Sequence, residues 1–183
     1  MGMAAHIHPG DEVIIQANTF IATALPFLEL GATVVFADCD AHTGQLSVSD
    51  VARRMTKKTR AIVPVHLYGH PAPIRELTEL TKHTPIHILE DAAQAHGSSI
   101  QGRMCGSFGS MAAFSFYPGK NLGGYGDGGA VVTNNEKTAV YLRTLRNIGQ
   151  TKKYDHQIIG VNSRLDSIQA AILLVKLKHL TLS

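Results

Sequence analysis

Ile86-His87-Ile88-Leu89-Glu90-Asp91-Ala92-Ala93-Gln94-Ala95-His96-Gly97 is an apolar run that ends in two adjacent carboxylates. Ile86 to Leu89 reads as a strand, and Glu90 and Asp91 stand at its C-terminal end. In open α/β sheets that edge is where ligands sit. Asp91 has two readings: it faces a ligand, or it caps a following helix.

Outward from this strand, the pattern alternates. Upstream, Ala61-Ile62-Val63-Pro64-Val65 reads as a strand, although Pro64 removes a ladder donor. Residues 74–82 between them are amphipathic, with Ile74, Leu77 and Leu80 or Thr81 on one face. Further back, Val13-Ile14-Ile15 follows the turn-forming Pro9-Gly10-Asp11. Residues 19–30 read as a helix bent by Pro26 and stopped by Gly31. Thr33-Val34-Val35-Phe36 is β-branched and apolar, the composition of a buried strand. Residues 47–55 form a helix with Ser47 and Asp50 at capping spacing.

Downstream, 97–109 reads as a loop and 111–116 as a strand. Gly123-Gly124-Tyr125-Gly126-Asp127-Gly128-Gly129 turns the chain into Ala130-Val131-Val132-Thr133. Asn134 or Asn135 caps a helix reaching about Asn147. Residues 149–160 read as a polar loop. Residues 163–180 read as a helix capped by Ser163 and Asp166, with Leu165, Ile168, Ile172 and Val175 facing inward. Strands alternating with helices imply α/β architecture.

Composition narrows the function classes. The chain has 183 residues, 44% hydrophobic and 17% charged, with a net charge of +3. The basic pairs Arg53-Arg54 and Lys57-Lys58 read as a solvated helix face, which disfavours nucleic-acid binding. Two distant cysteines, Cys39 and Cys105, suit a reduced compartment. The ten histidines include the pairs His6/His8 and His66/His70 but no recognisable metal spacing. Met1-Gly2-Met3-Ala4-Ala5 lacks the features of a signal peptide, and His6 breaks the myristoylation pattern. No apolar run is long enough to span a bilayer. A cytoplasmic protein is the expectation.

Four features carry chemistry. Asp91 facing a pyridine nitrogen would keep that ring cationic, because a carboxylate favours the charged form. In Ser115-Phe116-Tyr117-Pro118-Gly119-Lys120, a lysine follows a strand and a Pro-Gly turn. A partly desolvated lysine beside a cationic ring serves as a nucleophile, whereas most lysines after such turns are simply solvated. The glycine-rich 123–129 is neither a Walker loop nor a dinucleotide fingerprint, since a strand follows it. It reads as a tight backbone passage beside a cofactor or as a flexible hairpin. Thr19-Phe20 offers an aromatic that either stacks on a flat ring or fills the core.

In combination these features resemble the DegT/DnrJ/StrS family of pyridoxal-phosphate-dependent sugar aminotransferases. The resemblance runs from Gly10 to the last helix. It is carried by Gln16-Ala17-Asn18-Thr19-Phe20-Ile21-Ala22-Thr23, Pro64-Val65-His66-Leu67-Tyr68-Gly69, Glu90 to Gly97, Phe114 to Gly129, and Asn162-Ser163-Arg164-Leu165-Asp166. It implies that Lys120 carries pyridoxal 5'-phosphate as a Schiff base. It puts Asp91 on the pyridine nitrogen, Gln94 on the phenolic oxygen, Ser115 on the phosphate and Phe20 against the ring. Asn162, or Arg164 in its place, would reach the phosphate of the neighbouring subunit's cofactor.

Tyr117-Pro118-Gly119-Lys120-Asn121-Leu122 and the Lys153-Tyr154-x-His156 pattern resemble the branch acting on 3-keto nucleotide sugars. That similarity implies that Tyr154, His156 and Arg164 contact substrate across a homodimer interface. The implied substrates are a nucleotide-linked keto sugar and an amino-acid donor, glutamate by analogy. A pyridoxal-phosphate-dependent sugar dehydratase of the same fold is the rival, but that branch typically has histidine in place of Lys120. Members of the family are about twice this length. The implied fold is therefore α/β, a partial large domain of the fold type I aminotransferases. It is a mostly parallel mixed sheet with helices on both faces, an α/β/α arrangement. Residues 1–183 are expected to be that domain without its N-terminal segment and small C-terminal domain. On this expectation the isolated chain binds pyridoxal phosphate weakly or not at all and lacks full activity; the alternative is an inactive fragment that serves only in self-association.

Overall fold

A computed structural model describes residues 1–180. Its centre is a six-stranded sheet of β1 (Glu12–Gln16), β2 (Thr33–Ala37), β3 (Thr59–Val63), β4 (His87–Asp91), β7 (Met111–Ser115) and β8 (Gly129–Val132). The spatial order is β2-β1-β3-β4-β7-β8, parallel except for the antiparallel β8. Two small hairpins lie outside it: β5 (Ser99–Ile100) with β6 (Arg103–Met104), and β9 (Gln150–Lys152) with β10 (Asp155–His156).

Period-two alternation sorts the central strands between two cores. Val13, Ile15, Ala61, Val63 and Leu89 point to one face, against Ile7, Phe27 of α1 (Leu25–Leu28) and Leu142 of α4 (Glu136–Arg146). Ile14, Ile62 and Ile88 point to the other face. They meet Val51 of α2 (Val48–Arg54) and Ile74 and Leu77 of α3 (Ile74–Thr81). The strands are apolar on both sides because both faces are covered. Each fully buried Val, Leu or Ile side chain among them contributes about 1.5–3 kcal/mol of transfer free energy.

Side-chain caps start two of the helices. The Ser47 hydroxyl accepts the Asp50 N–H at the start of α2, and Asn135 accepts the Thr138 N–H at the start of α4. Pro64 falls one residue past β3, so its missing N–H costs the ladder nothing, and its carbonyl accepts the Asp91 N–H at 2.9 Å.

Five expectations need correction. β2 is an edge strand rather than a buried one, and its Phe36 is half exposed. Residues 19–30 break into a 3₁₀ turn at Ile21–Thr23 and the four-residue α1, with Pro26 in the first turn of α1. The last helix, α5 (Ser167–Leu177), begins after Asp166 instead of Ser163. Leu173 is its buried residue, whereas Ile168 and Val175 are exposed. The stretches 97–109 and 149–160 are not plain loops but carry the two hairpins. No helix follows Asp91 directly, so the capping reading of that residue falls.

Candidate active site

Parallel strands deliver their C-terminal ends to one edge of the sheet. The segments after β1, β3, β4 and β7 therefore converge there. They carry Phe20, Tyr68, Gln94 and Lys120 in turn.

A cavity of about 450 Å³ opens at this edge, lined by Tyr68, Gln94, Tyr117, Gly119, Lys120 and Asn121. Gln94 and Lys120 thus share one space. The Tyr68 N–H donates to Gln94 Oε1 at 2.7 Å, which fixes the amide. Tyr68 holds a left-handed backbone, φ 56°, unusual for a non-glycine residue. The Ser115 hydroxyl accepts the Tyr117 N–H at 3.2 Å, ordering the turn that leads to Lys120.

The glycine-rich segment is a close backbone passage. A Cβ at Gly123 would run into the Pro118 carbonyl, so only glycine fits there. Helix α5 clamps it: Gln169 Oε1 accepts the Tyr125 N–H at 2.7 Å, and Lys176 Nζ donates to the Gly123 carbonyl at 2.6 Å.

The two carboxylates at the end of β4 have separate tasks. Asp91 is half-buried. Its Oδ2 accepts the Thr23 hydroxyl at 2.8 Å, and its Oδ1 accepts the Ala93 N–H at 3.1 Å. Glu90 is fully buried and accepts four bonds. They come from His66 Nε2 at 2.9 Å and the N–H groups of Gly106 at 2.7 Å, Phe108 at 2.7 Å and Gly109 at 2.6 Å. Burial would raise its carboxyl, but the bonds from His66, Gly109 and Gly106 hold it below the usual glutamate range.

His66 joins this network from the segment after β3. Burial pushes its imidazole down, while Cys105 and Glu90 pull it up to about 9. The Ala72 N–H donates to Nδ1 at 3.0 Å, so a second ring proton would meet a donor head-on. That contact decides for the neutral ring with Nε2–H on Glu90.

His96 is buried between Phe114 and Phe116, with ring centroids 5.3 and 5.9 Å away. Among the described residues neither of its ring nitrogens has a hydrogen-bond partner. Burial lowers its pKa; the Ser115 backbone pulls the other way from outside bonding geometry, and Lys120 lowers it further.

The remaining sequence candidates lie outside the Lys120 cavity. Phe20 is 75% exposed on the loop after β1. Tyr154 is 81% exposed at the turn between β9 and β10. His156 Nδ1–H donates to the Ile148 carbonyl at 2.9 Å. Asn162 is exposed and bridges to Asn147, whose side chain accepts from Arg164 at 3.2 Å. Arg164 lines a larger space, about 980 Å³, between β8, α4 and the first three residues. Lys120 and Gln94 line the smaller cavity and not this one, while Asp91 and Ser115 line neither.

Residues 2–182 match the model of the DegT/DnrJ/EryC1/StrS aminotransferase family. The chain belongs to that family. A Streptomyces venezuelae relative, a dTDP-3-amino-3,4,6-trideoxy-alpha-D-glucose transaminase, is 52% identical over 95% of this chain and 46% of its own. The crystal structure of S. venezuelae DesV with a ketimine intermediate superposes with a TM-score of 0.95 at 50% identity, covering 98% of this chain and 48% of that one. Bacillus subtilis ntda, solved with bound PMP, gives a TM-score of 0.92 at 32% identity, over 99% of this chain and 41% of that one. The family is pyridoxal-phosphate dependent. The chain spans about half the length of the curated relatives it matches. Among the described residues no helix is long and apolar enough to cross a membrane.

Tyr68, Thr23 and Glu90 were not picked out as site residues from the sequence. Tyr68-Gly69, directly after a strand, carried a hint of a site turn, but a left-handed tyrosine has no sequence signature. Thr23 sits four residues after Thr19 in a segment misread as helix, which hid its reach to Asp91.

Proposed function

We propose that this protein is a cytoplasmic, pyridoxal-phosphate-dependent aminotransferase. It moves an amino group from an amino acid, L-glutamate in this reading, to the keto carbon of a nucleotide-linked deoxysugar, and works as a homodimer. The observation that carries the reading is the shared cavity of Lys120 and Gln94, at the sheet edge where Asp91 ends β4. The relatives named above act on, or are solved with, the matching chemistry.

The residues present fit the cofactor. Lys120 offers an amine in an open cavity, Gln94 a fixed amide, and Asp91 a carboxylate for a ring N–H. Tyr68, Tyr117 and Phe20 offer exposed aromatic surface for a flat ring. When bound, pyridoxal phosphate supplies an electron sink for the carbon that loses its proton.

This chain's own residues do the rest. Lys120 would hold the cofactor covalently, and its amine, once free, would carry the proton between the two carbons that exchange it. Asp91 keeps the ring nitrogen protonated, Gln94 orients the ring through its oxygen, and Ser115 binds the phosphate. Asn162 or Arg164 reaches the partner subunit's phosphate, and Tyr154 and His156 contact the sugar across the interface. The exposure of Tyr154, His156, Asn162 and Arg164 away from their own Lys120 cavity supports that crossing.

The test is product analysis with L-glutamate and a 3-keto nucleotide sugar. Formation of 2-oxoglutarate and an amino sugar, abolished by Lys120→Ala, is expected. A dehydrated sugar without amination would overturn the reading.

A further inference from the structure

The Thr23 hydroxyl has one proton, and Asp91 Oδ2 takes it at 2.8 Å, since a carboxylate only accepts. Thr19 Oγ1 lies 2.8 Å from Thr23 Oγ1. With the Thr23 proton committed, Thr19 must be the donor in that second bond. The hydroxyls thus form a directed chain, Thr19 to Thr23 to Asp91. Thr23 is buried, at 6% exposure. A hydrogen bond to an ionised group in such a place is stronger than a surface one.

The chain connects two elements with different origins. Thr19 and Thr23 bracket Phe20 on the loop after β1, while Asp91 ends β4. β3 lies between β1 and β4 in the sheet, so no ladder bond joins those two strands. Thr23 spans that gap. The Ala93 N–H holds the other carboxylate oxygen, so rotation of the carboxylate plane is restrained from both sides.

We propose that Thr23, relayed by Thr19, is a positioning residue that aims the Asp91 carboxylate at the cofactor's ring nitrogen and ties it to the loop bearing Phe20. This rests on the reading that Lys120 holds pyridoxal phosphate. Losing the Thr23 hydroxyl frees one carboxylate oxygen to turn away from the ring. Cofactor affinity and ring protonation then fall together.

Two variants separate the hydroxyl from the methyl. Thr23→Val keeps the shape and loses the donor; Thr23→Ser keeps the donor and loses packing. The protein is titrated with pyridoxal phosphate followed by absorbance, and the ring-nitrogen ¹⁵N shift of labelled cofactor is recorded alongside thermal unfolding. Thr23→Val is expected to weaken cofactor binding about tenfold, the scale of one charge-assisted bond. It should also move the ¹⁵N shift toward the unprotonated ring, while Thr23→Ser stays close to the unsubstituted protein. If Thr23→Ser is the more damaging, or if Thr23→Val leaves the ¹⁵N shift in place, the inference is wrong although Lys120 still binds cofactor. If Thr23→Val fails to fold, Thr19→Val, which removes the relay one bond further out, must produce a smaller shift of the same sign. Its silence would overturn the proposal. No cofactor absorbance in the unsubstituted protein would overturn this inference and the Lys120 reading together.

Discussion

Replacing Glu90 with glutamine keeps the shape of the side chain and exchanges an acceptor for a donor. Glu90 Oε1 accepts from Phe108 and Gly109, and Oε2 accepts from His66 and Gly106. Whichever way the new amide turns, its NH₂ meets two donors. His66 cannot rescue it by switching tautomer, because Nδ1 already accepts the Ala72 N–H. At least two charge-assisted bonds are lost in a site with no solvent access. At about 1.5–3 kcal/mol each, the loss is about 3–6 kcal/mol. A domain is stable by only about 5–15 kcal/mol, so this removes a large fraction. With a urea m-value of about 2 kcal/mol/M, the midpoint drops by about 1.5–3 M. Urea unfolding of Glu90→Gln measures it directly. Asp91→Asn is the control, the same change one residue along, on a half-exposed carboxylate. It should disturb the cofactor far more than the fold. A Glu90→Gln midpoint within about 0.5 M of the unsubstituted protein, on the same m-value scale, would refute the four-bond network.

The same network sets the pH dependence of stability. The folded pKa of Glu90 is depressed below the ordinary glutamate value of 4.5, so its contribution is fully present above that pH and is lost as pH falls through the folded value. Acid titration of the unfolding midpoint should show a steeper decline below pH 4.5 than Glu90→Gln shows, the remaining slope coming from Asp50 and Asp40, whose carboxyls are also held low. A charged His66 with a pKa of about 9 would add stability below pH 6.5 that disappears as pH rises through 9. The Ala72 bond predicts instead that His66→Gln leaves the slope over that window unchanged. His96→Phe removes two buried nitrogens that have no hydrogen-bond partner among the described residues, at little cost in shape. Its thermal midpoint should match or exceed the unsubstituted value, by about 2–4 °C if 1 kcal/mol of burial penalty is relieved. A fall larger than that would show that His96 has a polar partner.

Much of the fold was legible because its strands obey a simple rule. Val13 and Ile15 against Ile14, or Ala61 and Val63 against Ile62, announce two covered faces through continuous apolar runs. Thr33 to Phe36 has the same composition yet lies at an edge, because position in the sheet is set by chain topology that residues do not display. Ser163 and Asp166 both suit a helix start. Only packing chose Asp166, burying Leu173 and leaving Ile168 in solvent. The nearness of Lys120 and Gln94 was legible because each follows a strand that points to the same edge. Glu90 and Asp91 look alike in sequence. Burial separates them: Glu90 is fully enclosed and holds the 106–109 loop, while Asp91 is half-buried and holds Thr23.

Borohydride reduction of the protein with pyridoxal phosphate, followed by peptide mass mapping, tests the central claim most directly. A pyridoxyl mass is expected on the peptide bearing Lys120, absent from Lys120→Ala. A label on another lysine, or none on Lys120 at saturating cofactor, would contradict it.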